Sequence, residues 1–192
     1  MLNVKIILGS TRPGRFSEKF VPWVQEGLAA HPEMQAEVLD LRDYPMPFYD
    51  DERSAAFIPD GSYKSDVVKS WAAKITEADA FIFITAEYNH GPTGVLKNAL
   101  DAIYHEWAHK PVAFVGYGSV GGARAVEQLR AIVAELHMAS VRTAVHIIAP
   151  WMLVDQTGAL KEGVLAQNDQ SRTDMLTQLQ WWGDALKTAR GV

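Results

Sequence analysis

The sequence predicts an α/β protein in which helices cover both faces of a parallel sheet. Three observations carry this. Five short apolar runs recur along the chain, each followed by a stretch of helical character. The runs read as strands buried on both faces, as parallel strands are. Unusual loops follow the first, third and fourth runs, and these would project from one edge of the sheet, where ligands bind in open α/β folds.

The first run, Val4–Leu8, leads into Gly9-Ser10-Thr11-Arg12-Pro13-Gly14-Arg15-Phe16-Ser17 and then into a helical stretch at 17–30. A loop of this kind at a helix N-terminus builds an anion site from backbone N–H groups, the helix dipole and hydroxyl donors. Arg12 and Arg15 suit a phosphate because a guanidinium binds oxyanions bidentately. The plain alternative is a strand–helix turn with two solvated arginines. The second run is Glu37–Leu41. Tyr44–Tyr63 then breaks the rhythm with Pro45, Pro47, Pro59 and Gly61, so it reads as a long surface connection, a lid or interface element. A helix at 63–78 leads to the third run, Ala80–Thr85.

After the third run, Ala86-Glu87-Tyr88-Asn89-His90-Gly91-Pro92-Thr93 mixes a ring, an amide, a carboxylate and glycine, which suits the rim and face of a planar heterocycle. Thr93 or Asn89 would alternatively cap the following helix, at 93–108. That stretch spells H-E-x-x-H at His105-Glu106-Trp107-Ala108-His109, the pattern of a zinc hydrolase. Lys110-Pro111 follows at once and would leave the second histidine in a fraying turn, so no metal is assigned. The fourth run, Val112–Gly116, opens Gly116-Tyr117-Gly118-Ser119-Val120-Gly121-Gly122, which spells G-x-G-x-x-G. A dinucleotide fingerprint belongs after the first strand with an acidic residue about 20 positions on. Neither holds here, and a glycine-rich wall against a flat ligand fits better. A helix at 122–137 precedes the fifth run, Val141–Ile148, rich in β-branched residues. An irregular stretch, Ala149–Gly163, leads to a final helix at 166–190, whose Trp181 and Trp182 are expected to pack on the sheet.

The chain has 192 residues, which suits one domain over 1–192 with a sizeable core. Its net charge of −5 argues against nonspecific nucleic-acid or membrane binding. It has no cysteine, which excludes disulfides, thiolate catalysis and cysteine-ligated metal sites. No signal-peptide pattern opens the chain and no apolar run reaches transmembrane length, so a cytoplasmic protein is expected.

Taken together, Gly9-Ser10-Thr11-Arg12 with Ser17, Glu87-Tyr88-Asn89 followed by Leu96-Lys97-Asn98-Ala99-Leu100-Asp101, and Gly121-Gly122-Ala123-Arg124 resemble the NADPH-dependent FMN reductase family of the flavodoxin-like group. The resemblance covers about residues 3–148 and departs from the family pattern at Ala86, usually proline, and at Lys19, often asparagine. It implies a flavodoxin-like doubly wound sheet of five parallel strands in the order 2-1-3-4-5. It implies that Ser10, Arg12 and Ser17 bind the FMN phosphate, with Arg15 added on its chemistry alone. Glu87, Tyr88, Asn89 and the adjoining His90 would meet the isoalloxazine ring, as would Tyr117, Gly118 and Ser119. His90 is either a proton donor to the acceptor or a bystander.

The implied activity is hydride transfer from NAD(P)H to FMN and then to a small acceptor (free flavin, quinone, azo dye or metal ion) in ping-pong order. No protein nucleophile is required. A homodimer or homotetramer is expected, with the 93–108 helix and the 44–63 loop as its contact. An FMN electron carrier, a non-catalytic flavin or phosphate sensor and, more remotely, a zinc hydrolase are the alternatives.

Overall fold

The computed structural model describes residues 1–191. The chain runs β1 (Leu2–Leu8), α1 (Ser17–Leu28), β2 (Met34–Asp40), α2 (Asp66–Thr76), β3 (Ala80–Ala86), α3 (Gly94–Asp101), β4 (Pro111–Gly118), α4 (Ala123–Glu135), β5 (Ala139–Ser140), β6 (Val145–Ile148) and α5 (Asp169–Arg190). All strand pairs are parallel, in the order β2-β1-β3-β4-β5, with β6 also on β4. This is the expected flavodoxin-like winding, with its reversal of strand order between β1 and β3.

Alternation along the strands sorts the core into two layers. Phe81 and Phe83 of β3 and Val112 and Phe114 of β4 face a cluster with Trp71 of α2, Leu96 and Leu100 of α3 and Leu129 of α4. Ile82, Ile84, Ala113 and Val115 point the other way, onto Phe20 and Val24 of α1 and Met175, Leu176 and Leu179 of α5. All seven residues of β3 are buried, as a central strand covered on both sides must be.

Three expectations are corrected. The fifth run is not one strand. Its two pieces, β5 and β6, both lie on β4 and are separated at 141–144. The break is held by side chains: Arg130 donates to the carbonyls of Val141 (2.6 Å) and Arg142 (2.7 Å), and Gln178 binds Thr143 through both its backbone N–H and its hydroxyl. The helix expected at 93–108 ends at Asp101, and His105–Trp107 forms a separate 3-10 turn. Trp181 and Trp182 do not pack on the sheet. They are 64% and 38% exposed and lie edge-on to each other, because the buried stripe of α5 continues from Leu179 to Gly183 against Leu2.

Among the described residues, no helix is long and apolar enough to cross a membrane.

Candidate functional site

The loops after β1, β3 and β4 are cross-linked into one surface at the carboxyl edge of the sheet. Thr93 makes one of the links and caps the following helix. Its hydroxyl donates to the Gly9 carbonyl and accepts the Leu96 N–H at 3.2 Å, capping α3. The hydroxyls of Ser10 and Tyr88 lie 3.2 Å apart, and the Glu87 N–H donates to the Tyr117 carbonyl at 3.0 Å.

The first loop is an anion cradle with one arginine inside and one outside. Arg15 is 1% exposed. Its guanidinium donates to both carboxylate oxygens of Asp40 at the end of β2 and to the Ser10 carbonyl at 2.6 Å. Burial opposes ionisation of Asp40, but hydrogen bonds from Arg15 and Arg42 hold its carboxyl well below the ordinary range. Arg15 is therefore not a free phosphate ligand. It braces the loop from beneath, because a buried guanidinium needs a carboxylate and Asp40 provides it. Arg12 is exposed. Ser10 is buried and accepts the Arg12 N–H at 3.4 Å. The Ser17 hydroxyl is fully buried, begins α1 and has no hydrogen-bond partner among the described residues. Nor do the N–H groups of Thr11, Phe16, Ser17 and Glu18 find a backbone acceptor there. A buried orphan hydroxyl, free helix amides and an exposed guanidinium together fit a phosphomonoester.

The second loop closes as a two-residue turn. Tyr88 and Gly91 exchange both backbone hydrogen bonds, at 2.9 and 3.0 Å, while Asn89 (φ 51°) and His90 (φ 70°) take left-handed backbone conformations. This is a type I′ turn, and asparagine tolerates its first position. Gln128 holds the tip by donating to the His90 carbonyl at 2.7 Å. Glu87 lies under the turn. Its carboxylate is desolvated, yet the Arg124 side chain and the Arg124 N–H at 3.0 Å hold its pKa below the usual value. Arg124 also donates to His90 Nε2 at 2.9 Å. Arginine only donates, so the ring N–H of His90 resides on Nδ1.

The third loop is glycine-rich for its own packing. A Cβ on Gly122, at φ 70°, would stand 2.6 Å from the Tyr117 nitrogen, and one on Gly121 would stand 2.7 Å from the His146 Cβ. The Tyr117 ring is enclosed, with its phenol toward Ser17 and Ser10 of the first loop. It is 5% exposed and packs edge-on to Phe16 and Phe20, and burial pushes its phenol above the ordinary value. Gly118 and exposed Ser119 form the outer rim.

The H-E-x-x-H residues do something else. Glu106 accepts the Tyr63 phenol at 2.8 Å and His105 Nε2 meets the Ala56 carbonyl at 2.9 Å, so the turn anchors the long loop that follows β2. His109 lies outside that turn at φ 61°, and the two histidines share no helical face.

The sequence profile of the NADPH-dependent FMN reductase family matches residues 2–151. This chain belongs to that family. Family membership makes it an oxidoreductase working with FMN and NAD(P)H. An NAD(P)H-dependent FMN reductase of a Nectria species is 34% identical over 174 residues, covering 88% of this chain and 86% of that one. An NAD(P)H:quinone oxidoreductase of Solanum tuberosum is 33% identical over 137 residues, covering 69% and 67%. Among solved structures, the flavoenzyme NAD(P)H:(acceptor) oxidoreductase of Paracoccus denitrificans superposes with a TM-score of 0.73 at 21% identity, covering 96% of this chain and 98% of that one. At that identity it speaks for the fold. Sequence reasoning missed Asp40, Arg124 as a partner of Glu87, and Gln128 in this FMN reductase. Arg124 was visible as part of the G-G-x-R pattern, whereas Asp40 and Gln128 carry no local signal.

Proposed function

We propose that this FMN reductase binds FMN across the three loops and reduces a small organic acceptor, such as a quinone, with NAD(P)H. The observation that carries the reading is the orphan Ser17 hydroxyl at the uncapped start of α1, in the same loop as exposed Arg12 and buried Ser10. Arg12 neutralises the phosphate, and Ser10 and Ser17 donate to its oxygens. Asn89, His90 and Ser119 have N–H groups without acceptors among the described residues, and these serve the polar rim of the ring. Tyr88 lines the same edge, and the Glu87–Arg124 pair sets the height of the turn. Gly118 lets the third loop sit against Glu87, whose Cβ would stand 3.3 Å from a Cβ at that position.

FMN, when bound, supplies a two-electron carrier between nicotinamide and acceptor. NAD(P)H, a proton and a quinone then give NAD(P)⁺ and a hydroquinone, with the two substrates using one open face in turn. No side chain of the site is required as a nucleophile. A second copy of the chain is the partner best suited to the loop after β2, whose Phe48 and Phe57 are 83% and 76% exposed.

The test is anaerobic. The protein is mixed with FMN, NADPH is added, and the visible flavin absorbance is followed. Bleaching far faster than in a protein-free control is expected, with parallel double-reciprocal plots when a quinone is supplied. Bound FMN that neither NADPH nor NADH bleaches would make the protein a carrier or sensor.

A further inference from the structure

Beyond the three loops, the carboxyl edge of the sheet carries an apolar outcrop. Ile148 ends β6 and is 61% exposed, Trp151 is 53% exposed and Met152 is 66% exposed, while Val120 of the neighbouring loop is 43% exposed. Solvating large apolar side chains clustered in this part of the chain is unfavourable, and such exposure is a feature of binding surfaces.

The outcrop is built, not loose. Ala149 takes a left-handed backbone conformation, at φ 45° and ψ 57°, which costs free energy for any residue with a Cβ. It is held there by its N–H, which donates to the Gly118 carbonyl at 2.8 Å, and by buried Pro150, which opens the 3-10 turn Pro150–Met152. Behind the turn, Lys161 donates from Nζ to the Met152 carbonyl at 3.1 Å and from its N–H to the Leu153 carbonyl at 2.9 Å. On the sheet side, His146 Nδ1 lies 3.0 Å from the Gly121 carbonyl. The turn is therefore tied at Gly118 to the loop proposed above to face the flavin. The family match runs through Trp151, but it assigns no role to the individual residues of this turn.

We infer that Trp151, with Met152 beside it, is the wall that selects the electron acceptor. A flat apolar acceptor lies against the indole, whereas a small hydrophilic ion gains nothing from it. The inference rests on the proposed function, because it places the acceptor beside the glycine-rich loop.

The experiment compares two acceptors, 2-methyl-1,4-naphthoquinone and ferricyanide, with the FMN-loaded enzyme and saturating NADPH. In Trp151→Ala the ratio of kcat/KM for the naphthoquinone to that for ferricyanide is expected to fall about tenfold, carried by KM for the quinone. Trp151→Phe should restore most of the ratio, since it keeps a ring at that place. An unchanged ratio would overturn the assignment, and so would equal losses with both acceptors. A change of oligomeric state in sedimentation with selectivity preserved would also overturn it, by giving the outcrop to a second copy of the chain. Failure of the unsubstituted enzyme to turn over with either acceptor would remove the parent reading as well, which separates the two failures.

Discussion

Arg15 keeps its charge inside the protein because Asp40 meets it with two oxygens and Glu18 adds a third contact at 3.3 Å. Arg12, three positions earlier, is exposed and free to meet a ligand. Arg12→Ala is therefore expected to weaken FMN binding by about 1–3 kcal/mol, the worth of one charge-assisted contact. Titration of FMN fluorescence measures it, and an unchanged Kd would detach Arg12 from the phosphate. The loop's hydroxyls and guanidiniums were legible in the sequence as a candidate anion site. The division of labour was not, because Asp40 is 25 residues away and reaches Arg15 only once β2 has paired with β1. His90 is a similar case: its Arg124 partner lies on α4, 34 positions on.

The alternation of strands and five helices follows from apolar runs and their spacing, which is why that part of the architecture could be read directly, whereas the strand order came from the family resemblance. Interruptions could not. Leu96, Leu100, Ile103 and Trp107 keep a near-helical spacing through the end of α3, so periodicity alone extends the helix to 108. What holds His105–Trp107 outside it is remote, in Tyr63 and Ala56 of the long loop. The stripe Met175, Leu176, Leu179, Gly183 puts Trp181 on the opposite face of α5 and Trp182 at its margin, in keeping with their exposures. The third loop gives a test at this scale. Gly122→Ala meets both a left-handed backbone and the Tyr117 nitrogen, and should cost at least about 2 kcal/mol in urea denaturation. Gly158→Ala, at φ 82° with nothing within 4 Å, should cost only about 1–2 kcal/mol for the backbone. Equal losses would mean that close approach contributes nothing at Gly122.

For the whole molecule, pH dependence above neutrality should trace to one lysine. Lys110 is buried at the start of β4, with Nζ donating to the carbonyls of Ile75 and Thr76 at 2.7 and 3.0 Å. Burial pushes its pKa down to about 8. Between pH 8 and 10 the unfolded chain holds this proton more tightly than the folded one, so stability should rise with pH by on the order of 2 kcal/mol. Above pH 10 the slope reverses. Burial holds the phenols of Tyr63 and Tyr117 protonated in the fold, with the Glu106 hydrogen bond adding to the effect at Tyr63, and the unfolded chain releases those protons first. Urea midpoints at pH 7.5, 9 and 10 check this, and Lys110→Met should flatten the rise.

The divided fifth strand has a further effect at the same scale. An outer strand with free N–H and C=O groups invites another chain to extend the sheet and start an aggregate. Here a newcomer would find two residues of template in β5, then backbone at Val141 and Arg142 already occupied by the Arg130 guanidinium, then only the four residues of β6 before Pro150. Neither piece is long enough to hold a foreign strand in register, so this margin of the sheet resists polymerisation by its shape.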